Sequence, residues 1–470
     1  MADLTETHPN SQVAYEEVDS TGYLSAAPQA TPREHGRRRW LAEVKSPLRV
    51  IGYYFALVYT FIVFTQLHQL LMMAVGVDIR LLMIIGTPMI MLVLCSGGVQ
   101  RTLRWSAAKY WVGYSFLMVI AVAFSSWRSE SLSITLAWIR VEVLILFVIA
   151  GCVMTWREVN RLMTVLAWAA VVDVIAGRLF AGQIAGRFQL TGTTMSDPND
   201  YAAQLILILP CLLLVVVSAS QFMFGRIVAA GVFLYGLYLI LLTGSRGALI
   251  AIAITILFCL WRLRPSQKIL AASIVILLVC TTPFVVPQRI LTRFSTIFQS
   301  ANFAKKDPDL AGAVESGEAR RYLFKQSILA TLSHPVFGVG AGQFQNYEGR
   351  TAREKGLRGS WHETHNSFTQ VSSEIGIPAL LFFLAAIIAT YRMLDSVYRT
   401  ARRKPPTKET RQIRATAFCL LISLVGFCTA SFFLSLAYRF YLPALTGLAI
   451  ALYRAVQQKW RPAFAPTENV

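Results

Sequence analysis

Trp361–Leu380 reads W-H-E-T-H-N-S-F-T-Q-V-S-S-E-I-G-I-P-A-L and joins a polar head to an apolar run that continues to Met393. The head carries His362, Glu363, His365 and Asn366. An imidazole with a pKa near ~6.5 takes and gives protons at neutral pH, so a histidine where an apolar helix begins is a candidate general base. His365 starts the run, and Asn366 beside it offers a hydrogen bond that would fix the ring's tautomer. The string H-E-T-H fails as a zinc motif, because metalloprotease helices need histidines at i and i+4, and no third ligand is evident. No metal is expected. Glu374 falls inside the apolar run, where a carboxylate is costly; it reads either as an interhelical hydrogen-bonding group or as a functional one.

Three further clusters bring cations to the same side of the chain. Thr243-Gly244-Ser245-Arg246-Gly247 separates two apolar runs with too few residues for an ordinary loop, so Arg246 must sit at the membrane boundary. An arginine there can simply snorkel, but it stands on the side that short basic loops avoid, which favours anion binding. Guanidinium grips phosphate through two parallel hydrogen bonds. Gly186-Arg187 precedes T-G-T-T-M-S-D-P-N-D-Y-A, where Asp197 before Pro198 is a helix N-cap and Arg187 and Asn199 are left over. Arg320 and Arg321 open a polar interval's helix. That helix is expected over Gly317–Ser333, capped by Ser316, with Phe324, Ile328 and Leu332 on one face covering the catalytic floor or the membrane surface. The string V-F-G-V-G-A-G-Q-F after His334 and Pro335 lacks dinucleotide-binding spacing and reads as a turn.

The elements that must hold these residues are membrane helices. The chain is 470 residues long, 55% hydrophobic and only 15% charged, which is the balance of a polytopic membrane protein. Apolar runs stand at about 48–67, 79–97, 108–126, 134–154, 162–180, 200–218, 227–243, 247–263, 268–287, 366–391, 413–433 and 438–457. The formal charge of +19 falls mostly in short loops between them, which argues for orientation by positive loops and against nucleic acid as a partner. Those loops share a side with Arg37, Arg38 and Arg39 of the polar N-terminal stretch, so both termini are expected in the cytoplasm and Pro287–Thr364 outside it. No apolar segment of a signal peptide opens the chain. All seven cysteines lie in apolar runs and are read as small buried side chains.

The second half of the chain resembles the O-antigen ligase/polymerase superfamily of bacterial membrane glycosyltransferases. The resemblance is carried, in order, by R-F…D-P-N-D-Y-A (187–202), T-G-S-R-G-A (243–248), R-R-Y-L-F-K…H-P-V-F-G-V-G-A-G-Q-F (320–344) and H-N-S-F…E-I-G-I-P-A-L (365–380). It implies an all-α integral membrane protein of about twelve transmembrane helices, GT-C-like, with a large partly helical periplasmic loop between helices 9 and 10. It implies transfer of a glycan from undecaprenyl diphosphate to an acceptor hydroxyl on the periplasmic face of the bacterial inner membrane, without a cofactor. His365 matches the family's essential histidine. Arg246 and Arg320 match its diphosphate-binding arginines, with Arg321 the one-position alternative to Arg320; Arg187 is a further diphosphate ligand, and Asn366, Glu374, Asn199 and Arg321 are supporting residues.

The expected organisation is a disordered cytoplasmic tail (1–47), helices 1–9 (48–287), a periplasmic loop domain (288–365), helices 10–12 (366–457) and a cytoplasmic tail (458–470). The expected partners are a lipid-linked glycan donor, a glycan or lipid A-core acceptor, and membrane lipids. Ligase and polymerase differ only in the acceptor and stand almost even. The alternative is a transporter or flippase for an anionic or lipid-linked solute. A transporter favours internal repeats and polar groups at the bilayer midplane, whereas here the polar clusters gather at helix ends.

Overall fold

Each of the twelve apolar runs is helical in the computed structural model, which describes residues 40–184, 186–193, 195–217, 222–263, 265–295 and 308–460. The expected tails lie outside the described residues up to residue 39 and from 461 onward, as do 296–307 of the large loop. Among the described residues nine helices are long and apolar enough to cross a membrane. The runs that fall short are Leu81–Cys95 and Arg246–Arg262, which are shorter, and Tyr441–Trp460, which carries more polar residues. Pro265–Val285 shows why the surroundings must be lipid. Its mean hydropathy is 2.2, yet none of its apolar stretch is buried by protein. A helix apolar all round needs apolar neighbours, and hydrocarbon supplies them.

Lys408–Ser431 lies at the centre, packed by Ile377–Arg403, Arg246–Arg262 and Pro198–Val217. Tyr441–Trp460 packs on Leu144–Cys152. Trp111, Tyr114, Trp138 and Phe383 form a buried aromatic knot, in which the Trp138 and Trp111 indoles donate to Ser115 Oγ (2.8 Å) and Thr446 Oγ1 (2.9 Å). The carbonyls that end Leu144–Cys152 would otherwise be buried without partners. Arginines from three other segments satisfy them. Arg101 donates to Gly151 O (3.0 Å), Arg49 to Cys152 O (3.3 Å), and Arg454 to Ala150 O (2.7 Å) and Val153 O (2.5 Å). Arg49 also pairs with Glu158. Arg101 is thus buried and caps the end of Leu144–Cys152.

The structure corrects several expectations. A two-stranded antiparallel hairpin, Ala181–Ile184 with Arg187–Leu190, interrupts the all-α pattern and carries Arg187. The loop helix spans Pro308–Ser333, so Ser316 lies inside it rather than at its cap. Its buried face is Leu323, Ser327 and Ala330, while Phe324, Ile328 and Leu332 are exposed. Small side chains let it sit close to its neighbour, and Thr331 and Ser372 share a 2.8 Å hydrogen bond there. The run 366–391 is two helices, Ser367–Glu374 and Ile377–Arg403, broken at Ile375-Gly376. The seven cysteines are free thiols, but Cys95 and Cys280 are exposed rather than buried.

Candidate functional site

His365 precedes the half-helix Ser367–Glu374 with a left-handed backbone, φ +52°. Its N–H donates to Ser435 Oγ at 2.9 Å. The half-helix clamps the same Ser435 segment. Ser367 Oγ donates to Leu434 O (2.6 Å) and accepts from Leu436 N (2.8 Å), and Gln370 Oε1 accepts from Ala437 N (3.2 Å). Asn366 is the N-cap, its side-chain oxygen accepting from the N–H groups of Phe368 (2.9 Å) and Thr369 (3.0 Å). That oxygen thus fixes the start of the half-helix beside His365.

Glu374 ends the half-helix and pins the glycine string to it. Its carboxylate accepts from Gly342 N (2.6 Å), Phe344 N (3.4 Å) and the Tyr438 hydroxyl (2.5 Å). Backbone lies against backbone here. Val339 N and Gly340 N donate to Ser373 O and Glu374 O, and a Cβ on Gly338 would stand 2.3 Å from the Glu374 carbonyl carbon. The glycines are therefore there for close approach. Of the two roles left open for Glu374, the geometry gives the hydrogen-bonding one.

The cations converge from four separate segments. Gly244 takes φ +58°, which turns the chain so that Ser245 caps the next helix and Arg246 stands in its first turn. Two arginines reach this turn from elsewhere: Arg187 Nε donates to Thr243 O (2.8 Å) and Arg293 Nε to Gly244 O (3.1 Å). Arg187 also donates to Asn199 Oδ1 (2.9 Å), whose amide in turn donates to Asp197 (2.8 Å). Arg246 lies along Gly317 of the loop helix. One turn on, Arg320 lines a narrow crevice with Asn199, Ser245, Gly247, Phe433 and Leu434. The structure thus brings Arg320 into the cluster, while Arg321 is exposed.

The electrostatics follow from this crowding. Burial and then repulsion by Arg293 bring Arg187 down to about 10, with Arg320 and Arg246 adding to the effect. Arg320 and Arg293 are lowered by burial as well; Arg320 further lowers Arg293, while Asp197 and Asp200 hold Arg320 up. All remain charged at neutral pH, and an anion among them would relieve the repulsion. His365 is brought down to about 4, first by burial and then by Arg320, with Asp197 opposing. Its imidazole is neutral at pH 7 and can accept a proton. His362 lies near, its ring centre 6.5 Å from that of His365. Among the described residues no group of three His, Cys, Asp or Glu side chains is arranged to hold a metal.

Residues 230–384, which include Arg246, Arg293, Arg320 and His365, match the family model described as O-antigen ligase. That stretch, about a third of the chain, is similar to the O-antigen ligase family and supports the resemblance to the ligase/polymerase superfamily. The apolar helices make it a multi-pass membrane protein, and the match gives a transporter no support. No curated protein matches the chain. Arg187 and Asn199 lie outside the matched stretch and join the cluster only through tertiary contacts. Sequence reasoning missed Arg293 and Ser435. Arg293 had a weak signal, the i, i+4 pair Arg289 and Arg293 on the expected outer side of the membrane. Ser435 had none, because nothing local relates it to His365.

Proposed function

We propose that this protein is a glycosyltransferase of the ligase/polymerase superfamily and transfers a glycan from undecaprenyl diphosphate to an acceptor hydroxyl. The observation that carries the reading is a neutral histidine beside four convergent arginines. The arginines Arg187, Arg246, Arg293 and Arg320 bind the donor's diphosphate. As the bond from the sugar's anomeric carbon to the diphosphate oxygen breaks, they take up the leaving group's charge, so no general acid is required. The acceptor oxygen bonds to the same carbon and gives its proton to His365. Asn199 orients Arg187, and Asn366 and Glu374 hold the backbone on which His365 sits. Arg321 contributes positive field from the rim. Neither a cofactor nor a metal takes part.

The topology that fits this chemistry has both termini in the cytoplasm and the His365 site on the periplasmic face of the inner membrane, in a GT-C-like helical fold. Residues 288–365 form the periplasmic loop domain between two helical blocks, 48–287 and 366–457, with cytoplasmic tails 1–47 and 458–470. Outside the cytoplasm no nucleotide sugar is at hand, so the donor must be lipid-linked. The acceptor is either lipid A-core, for a ligase, or a second lipid-linked repeat unit, for a polymerase, and the two stand almost even. Purified enzyme offered both acceptors in competition, with a lipid-diphosphate donor, separates them by product. Absence of transfer to either acceptor, with donor bound, would sink the reading.

A further inference from the structure

A second cavity, of about 350 Å3, opens at the other end of the molecule. Arg157, Asn160, Arg161, Lys408, Glu409 and Gln412 line it, from the first turns of the helices Trp156–Leu179 and Lys408–Ser431. The first of these helices leads to the hairpin that carries Arg187, and the second to the segment that carries Ser435. Twenty-four residues at 1.5 Å each separate the cavity from the His365 end by ~36 Å, so it is no part of the catalytic site. Its volume is in the range of small-molecule sites.

Its charge is one-sided. Glu409, the one acid in the lining, is paired with Lys459. Glu158, in the same first turn as Arg157, is held by Arg49 and by the N–H groups of Met154 and Thr155. Arg157, Arg161 and Lys408 thus face the cavity with its one lining carboxylate, Glu409, taken by Lys459, beside the amides of Asn160 and Gln412. Both helices also direct their positive ends there. We propose that this cavity binds a phosphate group, either the head of an anionic membrane phospholipid or a soluble phosphate compound. Phosphate oxygens outnumber those of a carboxylate and suit several cations with neighbouring amide donors. Basic residues at the water-facing ends of membrane helices meet such head groups by position.

The test titrates the full-length protein in detergent with phosphatidylglycerol and, separately, phosphatidylcholine, counting bound lipid by native mass spectrometry. Phosphatidylglycerol should bind more tightly. The pair Arg157→Gln and Lys408→Gln should weaken it about thirtyfold, at about fivefold per charge, and leave phosphatidylcholine binding unchanged. Competition by millimolar inorganic phosphate would assign the soluble source, and no competition the lipid; either outcome supports the site. Arg157→Lys with Lys408→Arg keeps both charges and should bind as wild type does, which guards against loss through misfolding. Equal binding of the two lipids, with no displacement by inorganic phosphate, would overturn the proposal. So would wild-type affinity in the glutamine pair, or failure of the charge-keeping pair to bind better than the glutamine pair.

Discussion

The surroundings of His365 change its proton chemistry. A free imidazole would be half protonated near pH ~6.5, but burial and Arg320 bring this one down to about 4. The protonated form is disfavoured in the empty protein, so the proposed base is available throughout the physiological range. Bound diphosphate adds negative charge beside Arg320 and should raise the value again. The acid limb of kcat/KM, which reports the free enzyme, is therefore expected near pH 4, and that of kcat at higher pH. A full pH profile of transfer by purified enzyme checks this; coincident limbs near pH 6.5 would mean that the arginine field does not reach the imidazole. His365→Ala should lose about 10²–10⁴-fold in turnover, and His362→Ala far less. Arg246→Lys and Arg293→Lys keep charge but lose the planar fork, so both should weaken donor use with insertion unchanged. Chelator added to the same assay should leave the rate as it was.

The half-helix and the glycine turn behave as one element. Gly376 takes φ +100°, and a Cβ on it would come 2.1 Å from Val336 O, so Gly376→Ala should force the half-helix off the turn. The expected result is loss of transfer together with lower thermal stability, whereas His365→Ala should lose transfer alone. Thermal unfolding measured beside activity distinguishes them. A second element to test is the arginine-capped end of Leu144–Cys152. Arg101→Ala leaves Gly151 O buried without a partner, at a cost of about 1–3 kcal/mol. Its activity per folded molecule should be close to wild type, because the cap lies at the opposite end from His365.

Across the whole molecule, arginines gather at both ends for different reasons. At one end Arg49, Arg101 and Arg454 close a helix terminus, and Arg157, Arg161 and Lys408 face a cavity. At the other, Arg187, Arg246, Arg293 and Arg320 stand close enough to repel one another. The topology proposed above puts these ends on opposite sides of the membrane. In a cysteine-free background, a cysteine at Arg358 should react with an impermeant thiol reagent on intact cells, and one at Lys404 should not. The reverse pattern would invert the protein.

What the sequence determined by itself was whatever depends on short range. Apolar runs long enough for a bilayer become helices wherever they occur, and Asp197-Pro198 caps a helix through its own backbone. Three of the four motifs, at 243–248, 320–344 and 365–380, fall within the stretch that the family model matches. Tertiary structure decided which charged groups meet. Arg293 reaches Gly244 across forty-nine residues, and Ser435 reaches His365 across seventy. It also decided that Asn366 caps a helix, that Arg320 rather than Arg321 enters the cluster, and that Leu323, Ser327 and Ala330 rather than Phe324, Ile328 and Leu332 turn the loop helix toward the protein. None of these follows from periodicity, because each depends on how one helix is rotated against another. That rotation is set by close contacts such as Gly338 on Glu374, whose partners the chain brings together only when it folds.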